Sequence, residues 1–247
     1  MKKLKGLRKR WYMFRDLIGL HSKKYNYKNN YTFEDIAKED NIQKKIIKQF
    51  NSGEYWENRY KANGNSGAGS YNRLAEFKAE VINGFVKENN IESVVEFGCG
   101  DGNQLSLFNF KNYIGFDVSE TVLNLCKEKF KNDNTKIFKH TSEFKKEKAD
   151  LVLSLDVIYH LIEDKVFELY MNNIFKASKK FVIIYASNRN QEWCEHVKHR
   201  KFTDWIEKNK KDWDLYKFIP NKYPFDKDNQ ENTSFADFYI FKKIINT

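Results

Sequence analysis

The chain has 247 residues, 40% hydrophobic and 16% aromatic, enough to bury a full core and too apolar for a wholly disordered protein. Its formal net charge is +10, but residues 1–30 hold ten Lys/Arg against the single Asp16, and the remainder is nearly neutral, with 34 basic and 33 acidic groups. This argues against a basic nucleic-acid face spread over the fold, while two prolines, three scattered cysteines and short apolar runs exclude collagen-like, disulfide-framework and membrane-spanning classes.

In residues 1–30, Leu4, Leu7, Trp11, Phe14, Leu17 and Ile18 recur at three- to four-residue spacing among the charges. This predicts a basic amphipathic helix, which either packs on the domain or meets a membrane surface or a protein partner. Arg15 and Asp16 interrupt the apolar stretch, so it does not read as a secretory signal; free thiols in a cytoplasmic protein, peripheral at most at the inner membrane face, are the expectation.

Residues 31–90 read as a helical cap. A helix is expected over 31–50 and another over 71–88, where Leu74, Phe77, Val81, Phe85 and Val86 share a face. Between them, Asn63–Ser70 is the Gly/Ser-rich stretch, expected as a flexible loop able to act as a lid. From residue 91 to 247 the texture changes. Candidate strands Val94–Phe97, Tyr113–Phe116, Thr135–Phe138, Leu151–Leu155 and Phe181–Ala186 alternate with helices near 119–130 and 163–177. That alternation predicts an α/β, mostly parallel sheet, closed by a strand pair at Trp213–Ile219 and Phe235–Phe241.

The strand Val94–Phe97 runs directly into Gly98-Cys99-Gly100-Asp101-Gly102, and Asp117 ends the next strand nineteen residues after Gly98. Glycines let the turn bend and a ligand approach the backbone; an acid at the second strand end can hold the hydroxyls of a ribose. The spacing is G-x-G-x-G with Asn103 following, so the third dinucleotide glycine is missing. Glu96 and Asp101 beside the turn disfavour a pyrophosphate and suit a ligand with cationic centres.

This pattern resembles the class I S-adenosylmethionine-dependent methyltransferases, as does Asp150–Leu161, which is similar to the family's fourth motif. The resemblance implies a Rossmann-like seven-stranded sheet with the final strand antiparallel. It also implies a cofactor site of Glu96, Gly98, Cys99, Gly100, Asp101, Gly102, Gln104, Asp117, Val118, Ser119 and Leu155, holding S-adenosylmethionine and releasing S-adenosylhomocysteine. The run Lys139-His140-Thr141-Ser142-Glu143 departs from the acid the family often places near the adenine.

A narrower resemblance is to bacterial methyltransferases associated with surface-polysaccharide gene clusters. It is carried by Tyr55-Trp56, Arg59-Tyr60, Ser66–Tyr71, Phe77–Glu80, His196–Trp205, Asn221–Pro224 and Thr233–Phe238. Such enzymes include candidates for forming the O-methyl group of capsular phosphoramidate. The expectation is an O-methyltransferase for a small, anionic glycan precursor, a phosphoramidate or nucleotide-linked group.

For catalysis, His160, Asp156 and Tyr159 follow the fourth strand at the edge where α/β sheets bind ligands, with His160 the candidate base. For the acceptor, Tyr55, Arg59, Ser70, Tyr71, His196, His199 and Arg200 are the candidates, with Arg73 and Lys78 secondary. His196 and His199, three apart, are expected to share a helix face with Arg200 as an anion pocket; no metal set is completed. A sugar-hydroxyl methyltransferase, an RNA methyltransferase recruited by the basic segment, a nicotinamide-dependent oxidoreductase and a non-catalytic cofactor-binding scaffold are the competing readings, nucleic acid being disfavoured by the neutral body.

Overall fold

The computed structural model describes residues 50–244. The amphipathic segment expected over 1–30 and the helix expected from residue 31 lie outside the described residues.

Seven strands form one sheet: β1 (Val94–Phe97), β2 (Tyr113–Asp117), β3 (Lys136–His140), β4 (Ala149–Leu155), β5 (Ser178–Ala186), β8 (Trp213–Ile219) and β9 (Asp237–Lys243), in the order β3-β2-β1-β4-β5-β9-β8. β1 pairs in parallel with β2 (Val94↔Tyr113) and with β4 (Val94↔Leu151). β9 runs antiparallel to both β5 and β8. β1 and β4 are buried at every position, as near-continuous apolar runs in a sheet covered on both faces must be. This is the expected Rossmann-like sheet with one strand reversed.

The helices are α1 (Ser52–Lys61), α2 (Asn72–Glu88), α3 (Glu120–Lys129), α4 (Asp164–Ala177) and α5 (Phe202–Asn209). α2 and α3 cover one face: Phe77, Ile82, Phe85, Leu123 and Cys126 join Val94, Tyr113, Leu153 and Phe238 in one core cluster. α4 and α5 cover the other, with Phe167, Met171, Ile174, Phe202 and Ile206 against Val95, Val152 and Val182. Full burial of each such side chain stabilises the fold by ~1.5–3 kcal/mol.

The connection from β1 to β2 carries no α-helix, only a 3-10 turn at Leu105–Leu107. α2 sits beside that connection instead. Asn83 bonds the Leu107 carbonyl and the Asn109 N–H, at 2.8 and 2.9 Å, and Gln104 Nε2 donates to Ala75 O at 3.0 Å.

A helix face was expected for His196 and His199; the chain forms a two-stranded hairpin there, β6 (Gln191–Cys194) and β7 (Val197–His199). Its alternation is short, and burial of Val197 and His199 on one side of β7 decides the outcome. No helix among the described residues is long and apolar enough to cross a membrane.

Candidate active site

The glycine turn after β1 is built from backbone. Gly98, Gly100 and Gly102 all have positive φ (84°, 56° and 69°). At Gly98 a Cβ would run into Val157 Cγ2 and at Gly100 into Ser66 Oγ, so both a left-handed conformation and close packing require glycine. Gly98 N and Cys99 N both donate to Phe116 O, at 2.7 and 3.1 Å, which holds the turn against β2. Gly100 N donates to Asp117 Oδ2 at 3.0 Å and Ser119 N to Asp117 Oδ1 at 3.1 Å. Each oxygen thereby keeps acceptor capacity for a diol. Burial pushes the Asp117 carboxyl above its ordinary value, against these backbone donors. Glu96, wholly buried, accepts Tyr113 Oη at 2.6 Å, and burial pushes its pKa up to about 7.

A cavity of about 410 Å³ opens over this turn. Of the expected cofactor residues, Glu96, Gly98, Cys99, Gly100, Gln104, Asp117, Val118 and Leu155 line it. Three others act from behind the wall. Ser119 caps α3 through Val122 N at 3.1 Å. Gly102 lies where a Cβ would meet Phe130 and Cys126. Asp101 holds the Gly/Ser loop, accepting Ser66 N at 2.9 Å and Tyr71 Oη at 2.8 Å, while its own N–H donates to Ser66 Oγ at 2.9 Å. The loop expected to be flexible is thus fastened on the glycine turn. Ser66 and Ser70 face the cavity, and Tyr71 is occupied by Asp101.

α1 lies over the same opening. Trp56 and Tyr60, four apart and therefore on one helix face, line the cavity. Tyr55 and Arg59 take the neighbouring face. Tyr55 stacks on His196 at 4.9 Å, and Arg59 Nε donates to Asn65 O at 2.7 Å, so neither of these acceptor candidates lines the cavity. The helix is fastened at its middle and at its start. Glu57 accepts Ser119 Oγ at 2.6 Å and Thr121 Oγ1 at 2.8 Å, and these bonds, Ser119 foremost, hold its pKa down to about 2. Ser52 N donates to Glu163 Oε1 at 2.9 Å.

Asp156, which follows β4, also lines the cavity and has φ +60°. A non-glycine residue held there costs ~1–3 kcal/mol and is a mark of functional sites. Lys78 Nζ, on a side chain only 1% exposed, donates to Asp156 Oδ2 at 2.6 Å. Tyr159 Oη donates to Oδ1 at 2.8 Å; its ring is buried behind the carboxylate and outside the cavity wall. Gly69 approaches so closely that a Cβ there would lie 2.7 Å from Oδ2. Lys78, expected only as a secondary acceptor contact, is the buried partner of Asp156. The signal was present, since it interrupts the buried i, i+4 row Leu74–Lys78–Ile82 with a charge.

His160 lines the cavity with its Nδ1 2.9 Å from the His196 carbonyl, so Nδ1 carries the proton and Nε2 the lone pair. Burial pulls its pKa down to about 4. His196 therefore acts through its backbone. His199 is buried at the β7 end, 2.5 Å from Ser187 Oγ, outside the cavity wall. The Arg200 guanidinium is spent on the Ile162 carbonyl at 2.8 Å and on Asp164 at 2.7 Å, so the expected anion pocket of His196, His199 and Arg200 does not assemble. No cluster of His, Cys, Asp or Glu among the described residues is placed to hold a metal.

Residues 95–185 match a family model described as a methyltransferase domain. No curated protein matches the chain in sequence. Among solved structures, the methyltransferase domain of the bacterial protein CtHen1-C is similar at 20% identity and TM-score 0.53, over 68% of this chain and 97% of that one. The N-methyltransferase NodS from Bradyrhizobium japonicum, solved with S-adenosyl-l-homocysteine, is similar at 14% and 0.55, over 69% and 87%. Magnesium protoporphyrin IX methyltransferase from Synechocystis, with S-adenosylmethionine bound, is similar at 14% and 0.54, over 69% and 81%. These likenesses establish the fold.

The NodS and magnesium protoporphyrin IX methyltransferase structures hold S-adenosyl compounds, and the residues present here fit a ligand of that kind. The glycine turn leaves no room for side chains, Asp117 offers both oxygens at the ribose position, and the wall alternates carboxylates with apolar side chains.

Proposed function

We propose that the chain is an S-adenosylmethionine-dependent O-methyltransferase whose acceptor is a hydroxyl of a small surface-glycan precursor. The observation that carries the acceptor chemistry is the composition of the cavity wall: the Asp156 carboxylate and the neutral Nε2 of His160. Both accept hydrogen bonds, which suits an acceptor that arrives with an O–H. When bound, the cofactor supplies a methyl group on a sulfonium leaving group. Asp156, fixed by Lys78 and Tyr159, orients the acceptor hydroxyl. His160, held in one tautomer by the His196 carbonyl, takes the hydroxyl proton at Nε2 as the oxygen is methylated. α1 and the Ser66–Ser70 loop keep water from the reacting oxygen.

A phosphoramidate oxygen is the second reading, favoured by Lys78, the one cation among the described cavity residues. An anion there competes with Asp156 for Lys78 and needs no base. The experiment is a mass-spectrometric acceptor screen with S-adenosylmethionine, nucleotide sugars, nucleotide-linked phosphoramidates and bulk RNA, run on the wild type and on His160→Gln. Methylated sugar from the wild type, strongly reduced in the variant, is the expected result. Methylated phosphoramidate made equally well by both proteins overturns the hydroxyl assignment, and methylated RNA overturns the small-molecule one.

A further inference from the structure

Glu163 stands at the start of α4 and is one of the residues lining the cavity. One carboxylate oxygen, Oε1, accepts the Ser52 N–H at 2.9 Å. The other, Oε2, is buried and has no hydrogen-bond partner among the described residues. Buried carboxylate oxygens are rarely left without a donor. The unmatched acceptor therefore calls for an N–H or O–H that enters with a ligand.

The surroundings of Glu163 say which part of a ligand that is. Val118, Val166 and Leu169 are unusually exposed for large apolar side chains, at 38, 40 and 63%. All three line this one cavity. Exposed apolar side chains gathered around a cleft mark a surface that a ligand covers, and a cleft walled by them suits a flat ring. Val118 follows Asp117 directly, so a base attached to a ribose held by Asp117 passes Val118 into this cleft. The cleft also contains Thr141 and Ser142, from the segment where the methyltransferase resemblance leads one to look for an acid. The acid of that segment, Glu143, is already taken by the His140 N–H at 2.8 Å and is not in the wall. Glu163, in the same wall, carries the carboxylate oxygen left without a donor.

We propose that Glu163 reads the exocyclic amine of the cofactor's adenine through Oε2, while Oε1 holds the first turn of α1. The recognising acid is then supplied by the start of α4 instead of by the end of β3, and the same side chain fastens the helix that covers the site. The inference rests on S-adenosylmethionine being the cofactor.

The test is calorimetric binding of two ligands to the full chain: S-adenosylhomocysteine, and S-inosylhomocysteine, in which an oxo group replaces the amine. The wild type is expected to bind the adenosyl compound at least tenfold more tightly. Glu163→Gln keeps an acceptor for Ser52 and turns an amide N–H₂ toward the base; it is expected to narrow that ratio to near unity or invert it. A merely structural role would weaken both ligands together and leave the ratio unchanged, which overturns the proposal. Equal affinity of the wild type for the two ligands overturns it without recourse to any variant. If folded wild type binds neither ligand, the cofactor reading itself fails, and the Glu163 assignment falls with it.

Discussion

The two ends of the cavity are built in different ways. The cofactor end is made of backbone and near neighbours: three glycines within five residues, and Asp117 seventeen residues from the amide it accepts. The acceptor end is made of side chains from remote parts of the chain. Lys78 reaches Asp156 across 78 residues, and His160 meets the His196 carbonyl across 36. A turn that must bend sharply leaves its mark in consecutive residue types, whereas a charge pair formed in the assembled core leaves only one polar residue where an apolar one was due.

The largest effect should come from breaking the acceptor end. Lys78→Met leaves the Asp156 carboxylate without its buried partner, and removing one member of such a pair costs about 3–5 kcal/mol. Denaturant unfolding checks this. Adding Asp156→Asn to the Lys78→Met protein should recover part of the loss, because the uncompensated charge is gone. A loss no larger than that of an exposed lysine would show that the pair is not a structural element of the site. Next, if His160 is the base, His160→Gln should lower turnover by roughly 10²–10⁴-fold with little change in S-adenosylhomocysteine affinity. At the cofactor end, Asp117→Ala should do the reverse in kind, weakening that affinity by about tenfold or more, ~1.4 kcal/mol, with far-ultraviolet circular dichroism unchanged. If Asp117→Ala left affinity intact by calorimetry, the ribose assignment would be withdrawn.

The same contrast explains what could be read from the residues. All seven sheet strands were legible, with Val94–Phe97 and Trp213–Ile219 at their observed limits, because their apolar runs are bounded by turns. The glycine turn and Asp117 were legible for the same local reason. The hairpin at 191–199 was not: its four- and three-residue strands are too short for period-two alternation to outweigh the i, i+3 spacing of His196 and His199. Arg200 looked like a phosphate clamp because an arginine's composition is visible in sequence and its carbonyl partners, at Leu161 and Ile162, are not. Of Tyr55, Trp56, Arg59 and Tyr60, the cavity takes Trp56 and Tyr60, while Tyr55 and Arg59, the acceptor candidates, lie outside its wall. Helical periodicity marks a stripe, and burial against neighbours decides which edge of it points inward.

The effect that separates the two ends by pH comes from their buried titrating groups. His160, nearer the acceptor, has its folded pKa lowered from 6.5 to about 4 by burial. Between those values the unfolded chain binds more protons than the folded one, so this residue makes stability fall as pH drops from about 6.5 to 4. Glu96, at the cofactor end, has its folded pKa raised from 4.5 to about 7 by burial. Its contribution is fully present below 4.5 and is lost as pH rises through 7, the opposite slope. Over the shared window from 4.5 to 6.5 the two slopes offset each other. Removing one should therefore expose the other. Glu96→Gln should show stability declining more steeply than wild type as pH falls from 6.5 to 4.5, and His160→Gln should show stability rising over the same interval. Unfolding midpoints measured at half-unit steps would read both slopes. Parallel curves for the two variants would mean that the ends of the cavity do not titrate separately, because the opposing signs follow only if each group is buried on its own side.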